Sequence, residues 1–135
     1  MRGKSLLTAV ALSSVIVGGI VGIASPANAA YTDCAKGNAC MWNGTSYPGS
    51  PGGSFAYGIS AFSAGFDNVT DSIVNNGYAG ALSTACFYQF SNYGGDVICL
   101  DDPASGYQWR DPDLSNGVDA NPIAFANKIS SAKFV

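Results

Sequence analysis

The sequence contains no histidine, and every one of its nine acidic residues is an aspartate. Without an imidazole, neither a Ser-His-Asp nor a Cys-His catalytic arrangement can be assembled. A His-ligated zinc site is excluded too, and the cysteines do not show the paired CxxC spacing of an all-thiolate site. The lack of glutamate argues against helices and for turns, because the short aspartate carboxylate bonds nearby backbone N–H groups. Basic residues are also few. After residue 30 they are Lys36, Arg110, Lys128 and Lys133, so four cations against nine aspartates leave a charge of about −5. A nucleic-acid partner is not expected, since binding a phosphate backbone would add repulsion instead of releasing counterions.

The first segment, MRGKSLLTAVALSSVIVGGIVGIASPANAA, has Arg2 and Lys4 at its head and an apolar run from Leu6 to Ile23. It closes on Ala27-Asn28-Ala29, whose small residues at alternate positions fit a signal peptidase site. A membrane anchor is the alternative, but no basic stop-transfer cluster follows the run. Residues 1–29 are read as a signal peptide of bacterial style and 30–135 as a single domain. The mature chain is expected to be secreted, extracellular and monomeric, with no membrane attachment.

An even count of cysteines in a short exported chain reads as a disulfide framework. Cys34, Cys40, Cys86 and Cys99 allow three connectivities. The local pairs Cys34–Cys40 and Cys86–Cys99 are favoured, because short loops on a turn-rich chain can close them. Each would contribute about 2 to 3 kcal/mol by the chain-entropy model.

The chain repeats itself. CMWNGTSYPG at 40–49 lies over CFYQFSNYGG at 86–95, with Cys40, Trp42, Tyr47 and Gly49 recurring 46 residues later as Cys86, Tyr88, Tyr93 and Gly95. DNVTDSIV at 67–74 matches ANKISSAK at 126–133, with Asn68 and Ser72 recurring 59 residues later as Asn127 and Ser131. The second half therefore holds 59 − 46 = 13 extra residues. They fall within LDDPASGYQWRDPDLSNGVDANP at 100–122, where prolines forbid a central strand and a loop of this length suggests function or disorder.

Short runs separated by Gly, Asn, Pro and Ser, namely ACMW, SFAY, SIVN, ACFYQF, DVICL and SAKFV, predict an all-β sandwich or barrel. The segment nearest to a helical period is SFAYGISAFSAGF, and its glycines oppose it. In each repeat an aromatic is followed five residues on by another. Positions i and i+5 point to opposite faces of a strand, so the two rings can meet only if the chain folds over between them. NGTS and QFSN supply the turn formers, the following glycine permits positive φ or a close approach beneath a ring, and the later serine can bond the folded hairpin.

Aromatic-x4-aromatic-x-Gly followed by Asn-x-x-(Ser/Asp)-Ser, present twice, resembles the βγ-crystallin Greek-key domain. With the leader and the opening CAKGNACMWNGTSYPG, the chain resembles more narrowly the exported bacterial proteins of peptidase inhibitor family I36. That resemblance implies a double Greek-key sandwich in which Trp42, Tyr47, Tyr88 and Tyr93 are structural, and an extracellular peptidase as partner.

It also implies a calcium motif, (Asn/Asp)-(Asn/Asp)-x-x-(Ser/Thr)-Ser, whose oxygens suit a hard cation. The chain meets it through Asp67, Asn68, Asp71 and Ser72, with Asp71 where Ser or Thr is usual. The second copy, Ala126 to Ser131, lacks the first oxygen and carries Lys128. No other cofactor is expected. An enzyme is not expected either, since Asp101, Asp102, Asp111 and Asp113 sit on turns with no apolar pocket to raise one pKa.

Binding by braced loops remains. One candidate is Lys36, Gly37 and Asn38, closed by Cys34 and Cys40; the other is Tyr107, Trp109 and Arg110 on the expansion. Both carry residue types that anchor interfaces. The first reading is a non-covalent peptidase inhibitor. The alternatives are a calcium-binding structural module and an antimicrobial or cell-wall-binding protein, the last opposed by acidity, because anionic envelopes favour cationic surfaces.

Overall fold

Both sequence offsets reappear in the strands. The computed structural model describes residues 30–118 and 123–135; the predicted signal peptide lies outside them, as do residues 119–122 of the expansion. Among the described residues eight strands follow one another as β1 (Ala39–Trp42), β2 (Gly53–Phe55), β3 (Gly58–Ile59), β4 (Ser72–Asn75), β5 (Ala85–Phe90), β6 (Gly94–Leu100), β7 (Arg110–Asp111) and β8 (Ser131–Phe134). β1 and β5 start 46 residues apart, and β4 and β8 start 59 apart. No described helix is long and apolar enough to cross a membrane.

The strands form two antiparallel four-stranded sheets, ordered β2-β1-β4-β7 and β3-β8-β5-β6. Each sheet takes three strands from one repeat and the third strand of the other, so the fold is an all-β sandwich of two interlocked Greek keys. Neither repeat can complete its sheet alone. The core between the sheets holds Met41, Phe55, Ile73, Phe87, Ile98, Leu100, Leu114, Phe125 and Ile129. Leu114 belongs to the expansion, which therefore contributes to the core as well as to the surface.

A second cluster covers the outer face of the first sheet. Cys34, Cys40, Trp42, Tyr47 and Val74 are buried there, with Tyr31 and Trp109 packed over them. Strands β1 and β4 are consequently buried along their whole length. Among the described residues the second sheet has no such outer cluster, and Tyr88 stays half-buried where its counterpart Trp42 is fully buried.

The folded hairpins form as the repeat requires. Trp42 and Tyr47 meet edge-on with ring centroids 5.2 Å apart, and Tyr88 and Tyr93 do so at 5.6 Å. Positive φ recurs at the 46-residue offset, at Ser46 and Tyr47 and again at Asn92 and Tyr93. The pairs Cys34–Cys40 and Cys86–Cys99 are both bonded, the latter joining residues directly opposite on β5 and β6.

The aspartates behave as short carboxylates should. Asp102, Asp111 and Asp113 each accept the backbone N–H two residues on, from Ala104, Asp113 and Ser115. This chain of local turns carries the Pro-rich expansion around β7. Strands β3 and β7 have two residues each and leave no periodic trace, which is why the six apolar runs miss them. β7 lies at a sheet edge and is followed by Pro112, where a missing N–H does no harm.

Candidate functional site

The end of β4 is where the two loop candidates converge. Asn75 and Asn76 extend from the strand, and each ties down one of them. Asn76 donates its backbone N–H to Asn38 O at 2.8 Å and its side-chain amide to Cys34 O at 2.7 Å, while its carbonyl accepts from Gly37 N at 2.8 Å. Lys36 Nζ adds a bond to Gly77 O at 2.7 Å. The disulfide-closed loop is thus held by its crosslink and by four hydrogen bonds to one neighbouring segment.

On the other side Asn75 N donates to Trp109 O at 2.8 Å. Its buried side chain reaches further. Nδ2 lies 2.8, 2.9 and 3.0 Å from the carbonyls of Ser83, Leu100 and Asp101, and Oδ1 accepts from Gly77 N at 2.8 Å. Asp101 N in turn donates to Gln108 O. The base of the 107–110 segment is therefore anchored through Asn75 directly and through Asp101.

Tyr31 packs on the second loop from outside, and its carbonyl accepts from Cys34 N at the start of the first. Its ring packs edge-on to Trp109 at 5.3 Å, and the Arg110 guanidinium lies 4.2 Å from the Tyr31 centroid and 5.0 Å from that of Trp109. Trp109 is half-buried over the outer cluster while Arg110 and Tyr107 are exposed. Such stacking holds a cation in place without neutralising it. Two of the four cations after residue 30, Lys36 and Arg110, lie at this end of an acidic molecule.

Asn75, Asn76 and Tyr31 were not among the sequence candidates. A signal existed for Asn75: the 59-residue offset sets it against Phe134, so a buried polar residue fills a place that the other copy gives to a ring.

The calcium candidates are divided by the interlocked fold. Asn68 N donates to Ile129 O and Asn127 N to Thr70 O, an exchange that sets each motif's start beside the other motif's end. Ser130 Oγ lies 3.3 Å from Asn68 Oδ1. Asp71, the counterpart of Ser130, instead accepts from Gly44 N at 3.1 Å. Ser72 Oγ is taken up by the first hairpin, donating to Gly44 O and accepting from Tyr47 N. Asp67 Oδ2 accepts from Asn68 Nδ2, whereas Asp67 Oδ1 is buried without a hydrogen-bond partner. Among the described residues no cluster of three or more His, Cys, Asp or Glu could hold a metal.

Peptidase inhibitor family I36 matches residues 27–100. The chain belongs to that family. The match covers the first repeat and β5 and β6, and stops before the expansion. Among solved structures, one described under "Evolution of the eye lens beta-gamma-crystallin domain fold" superposes at a TM-score of 0.55 with 17% identity, covering 75% of this chain and 87% of that one. A beta gamma crystallin from Ciona intestinalis gives 0.52 at 15%, covering 73% and 100%. A betagamma-crystallin from an archaeon gives 0.51 at 17%, covering 75% and 100%. At these identities the likeness establishes the βγ-crystallin fold and nothing about ligands. No curated protein matches the sequence.

Proposed function

We propose that this I36-family protein is secreted and inhibits an extracellular peptidase by non-covalent occlusion of its active-site cleft. The face presented is the edge made by Lys36, Gly37 and Asn38 together with Tyr107, Trp109 and Arg110. One observation carries the reading: both loops are fastened to the same end of β4, at Asn75 and Asn76. A segment that enters a cleft already ordered loses little conformational entropy on binding, and the surplus appears as affinity. Exposed Arg110 and Tyr107 supply the anchoring side chains. The reading contains no bond-making step and the protein acts as a ligand, not as an enzyme.

The test is residual activity of a serine, a cysteine and a metallo-peptidase titrated with the mature protein. Stoichiometric loss of activity in one class is expected, weakened tenfold or more by Arg110→Ala at unchanged melting temperature. If all three classes keep full activity, the inhibitory reading fails.

A second reading, a calcium-binding module, is favoured by the buried Asp67 Oδ1. A carboxylate oxygen without a partner costs free energy that a cation would recover, and Asn68 Oδ1 of the next residue, 3.3 Å from Ser130 Oγ, offers further oxygens. Residues Asp67, Asn68 and Ser130 would hold the ion, which would tie the two repeats together. Asp71 and Ser72, the other oxygens of the motif, hydrogen-bond to the first hairpin at Gly44 and Tyr47. Calcium at millimolar concentration is expected to raise the melting temperature, since a ligand of the native state stabilises by mass action, and Asp67→Asn is expected to abolish the rise. An unchanged melting temperature removes this reading.

A further inference from the structure

Beside the disulfide-closed loop lies a cavity of about 310 Å³ with Tyr57, Tyr78, Leu82, Phe134, Gly37 and Gly77 among its walls. None of its lining residues is charged. Tyr57, Tyr78 and Leu82 are 87%, 67% and 68% exposed, so large apolar groups stand open to solvent around it. Its floor is built by close packing of rings on glycine: a Cβ at Gly37 would come within 2.8 Å of Tyr78, and one at Gly77 within 2.8 Å of Phe134. The polar backbone of that floor is already used. Gly37 N, Gly77 N and Gly77 O bond Asn76 O, Asn75 Oδ1 and Lys36 Nζ, and Tyr57 O accepts from Phe134 N. Leu82 stands at φ 60°, a conformation that costs a bulky residue free energy and that gathers at binding sites.

What borders the cavity narrows its ligand. Lys36 Nζ lies 5.4 Å from the Tyr78 ring centroid and bonds Gly77 O, so it rests on two of the lining residues. An ammonium has three donors, and these two contacts leave some of them for a ligand. No described carboxylate forms an ion pair with it. A cavity of this size accepts one ring, and the neighbouring cation complements an acid.

We infer that this cavity binds an aromatic group that carries, or is flanked by, a carboxylate, the ring lying among Tyr57, Tyr78, Leu82 and Phe134 and the acid meeting Lys36. The inference does not depend on the peptidase reading, since it concerns a site that a small probe can occupy by itself.

The experiment is a titration of the isotope-labelled mature protein, followed by NMR, with N-acetyl-L-phenylalanine and with its amide, up to roughly 10 mM, the range in which a fragment of this size binds. The acid is expected to shift the amide resonances of Gly37, Gly77, Tyr78 and Leu82, and to bind about three- to tenfold more tightly than the amide. Lys36→Gln should erase that difference. Ala81→Trp, which adds a bulky ring at another lining residue, and Tyr57→Ala, at the most exposed wall, should each weaken binding at unchanged melting temperature. Absence of shifts at these residues, shifts that survive Ala81→Trp, or equal affinity for acid and amide overturns the inference. Failure of the peptidase panel would leave all of these outcomes unaffected.

Discussion

Ser131 Oγ accepts the backbone N–H of Tyr93 at 3.0 Å, across 38 residues of chain, and donates to Phe90 O at 2.6 Å. Ser72 stands in the same relation to Tyr47 N and Gly44 O at 3.3 and 2.8 Å. One hydroxyl thus closes each folded hairpin onto the last strand of its own repeat. Both serines are fully buried, so removing either hydroxyl takes one hydrogen bond from a backbone donor and one from a backbone acceptor. Ser131→Ala and Ser72→Ala are each expected to cost about 1 to 3 kcal/mol. Each kcal/mol lowers the melting temperature of a domain this small by roughly 4 to 8 °C. Thermal unfolding checks this, with the exposed Ser91→Ala as a control expected within about 0.5 kcal/mol of the parent.

The glycines that follow the hairpins separate two costs. Gly49 and Gly95 stand at φ 66° and 76°, so an alanine is strained at either. At Gly49 an added Cβ would meet nothing within 4 Å, whereas at Gly95 it would lie 2.7 Å from Phe90 Cδ2 and 3.0 Å from Gln89. Gly49→Ala is therefore expected to cost about 1 kcal/mol from backbone conformation alone. Gly95→Ala should cost more, unless the exposed Phe90 ring swings away. Urea midpoints for the two variants give the comparison; equal shifts would mean that Phe90 yields freely.

The doubled motif made the fold legible because geometry demanded each of its members. Rings five residues apart require a fold-over, the fold-over requires positive φ, and the free backbone groups require a hydroxyl. The seams between repeats were harder to read. β3 and β7 are two-residue strands whose places are set by the opposite repeat, and no local pattern encodes a partner so far along the chain. For the same reason the six-residue calcium motif reads in sequence as one ligand set, and only the interlocked strands show that Asn68 also meets Ser130 while Asp71 accepts from Gly44 N. The loop candidates were legible as residue types in turns. Their common anchor at the end of β4 was harder to read: the 59-residue offset marks Asn75 as a buried polar residue, but the backbone groups through which Asn75 and Asn76 hold the two loops carry no sequence signature.

Asp113 offers a pH-dependent check on the expansion. Hydrogen bonds from the Ser115 side chain and then from its backbone N–H hold this exposed carboxyl below its ordinary pKa. A depressed pKa gives stabilisation present above the unfolded value and lost as pH falls through the folded one. The local turn should therefore loosen only in strong acid. Titrating the Asp113 side chain by NMR is expected to show the depressed value, and Ser115→Ala should move it upward without altering the global melting temperature at pH 7.

Asn75 connects stability to the proposed interface. Its two amide hydrogens are shared among three carbonyls, and its own oxygen holds Gly77 N. Asn75→Asp keeps the oxygen but turns the donor into an acceptor facing Ser83, Leu100 and Asp101. The loss is expected to reach at least about 2 to 3 kcal/mol, because buried acceptors would oppose one another. Asn76→Ala removes only the bond to Cys34 O, from a half-buried position, and should cost closer to 1 kcal/mol. The two variants should also differ by loop. Hydrogen exchange is expected to speed up around Asp101 in Asn75→Asp, and around Gly37 and Asn38 in Asn76→Ala. If peptidase inhibition falls in both, the two loops act as one surface; if it survives in either, only the loop still anchored carries the contact.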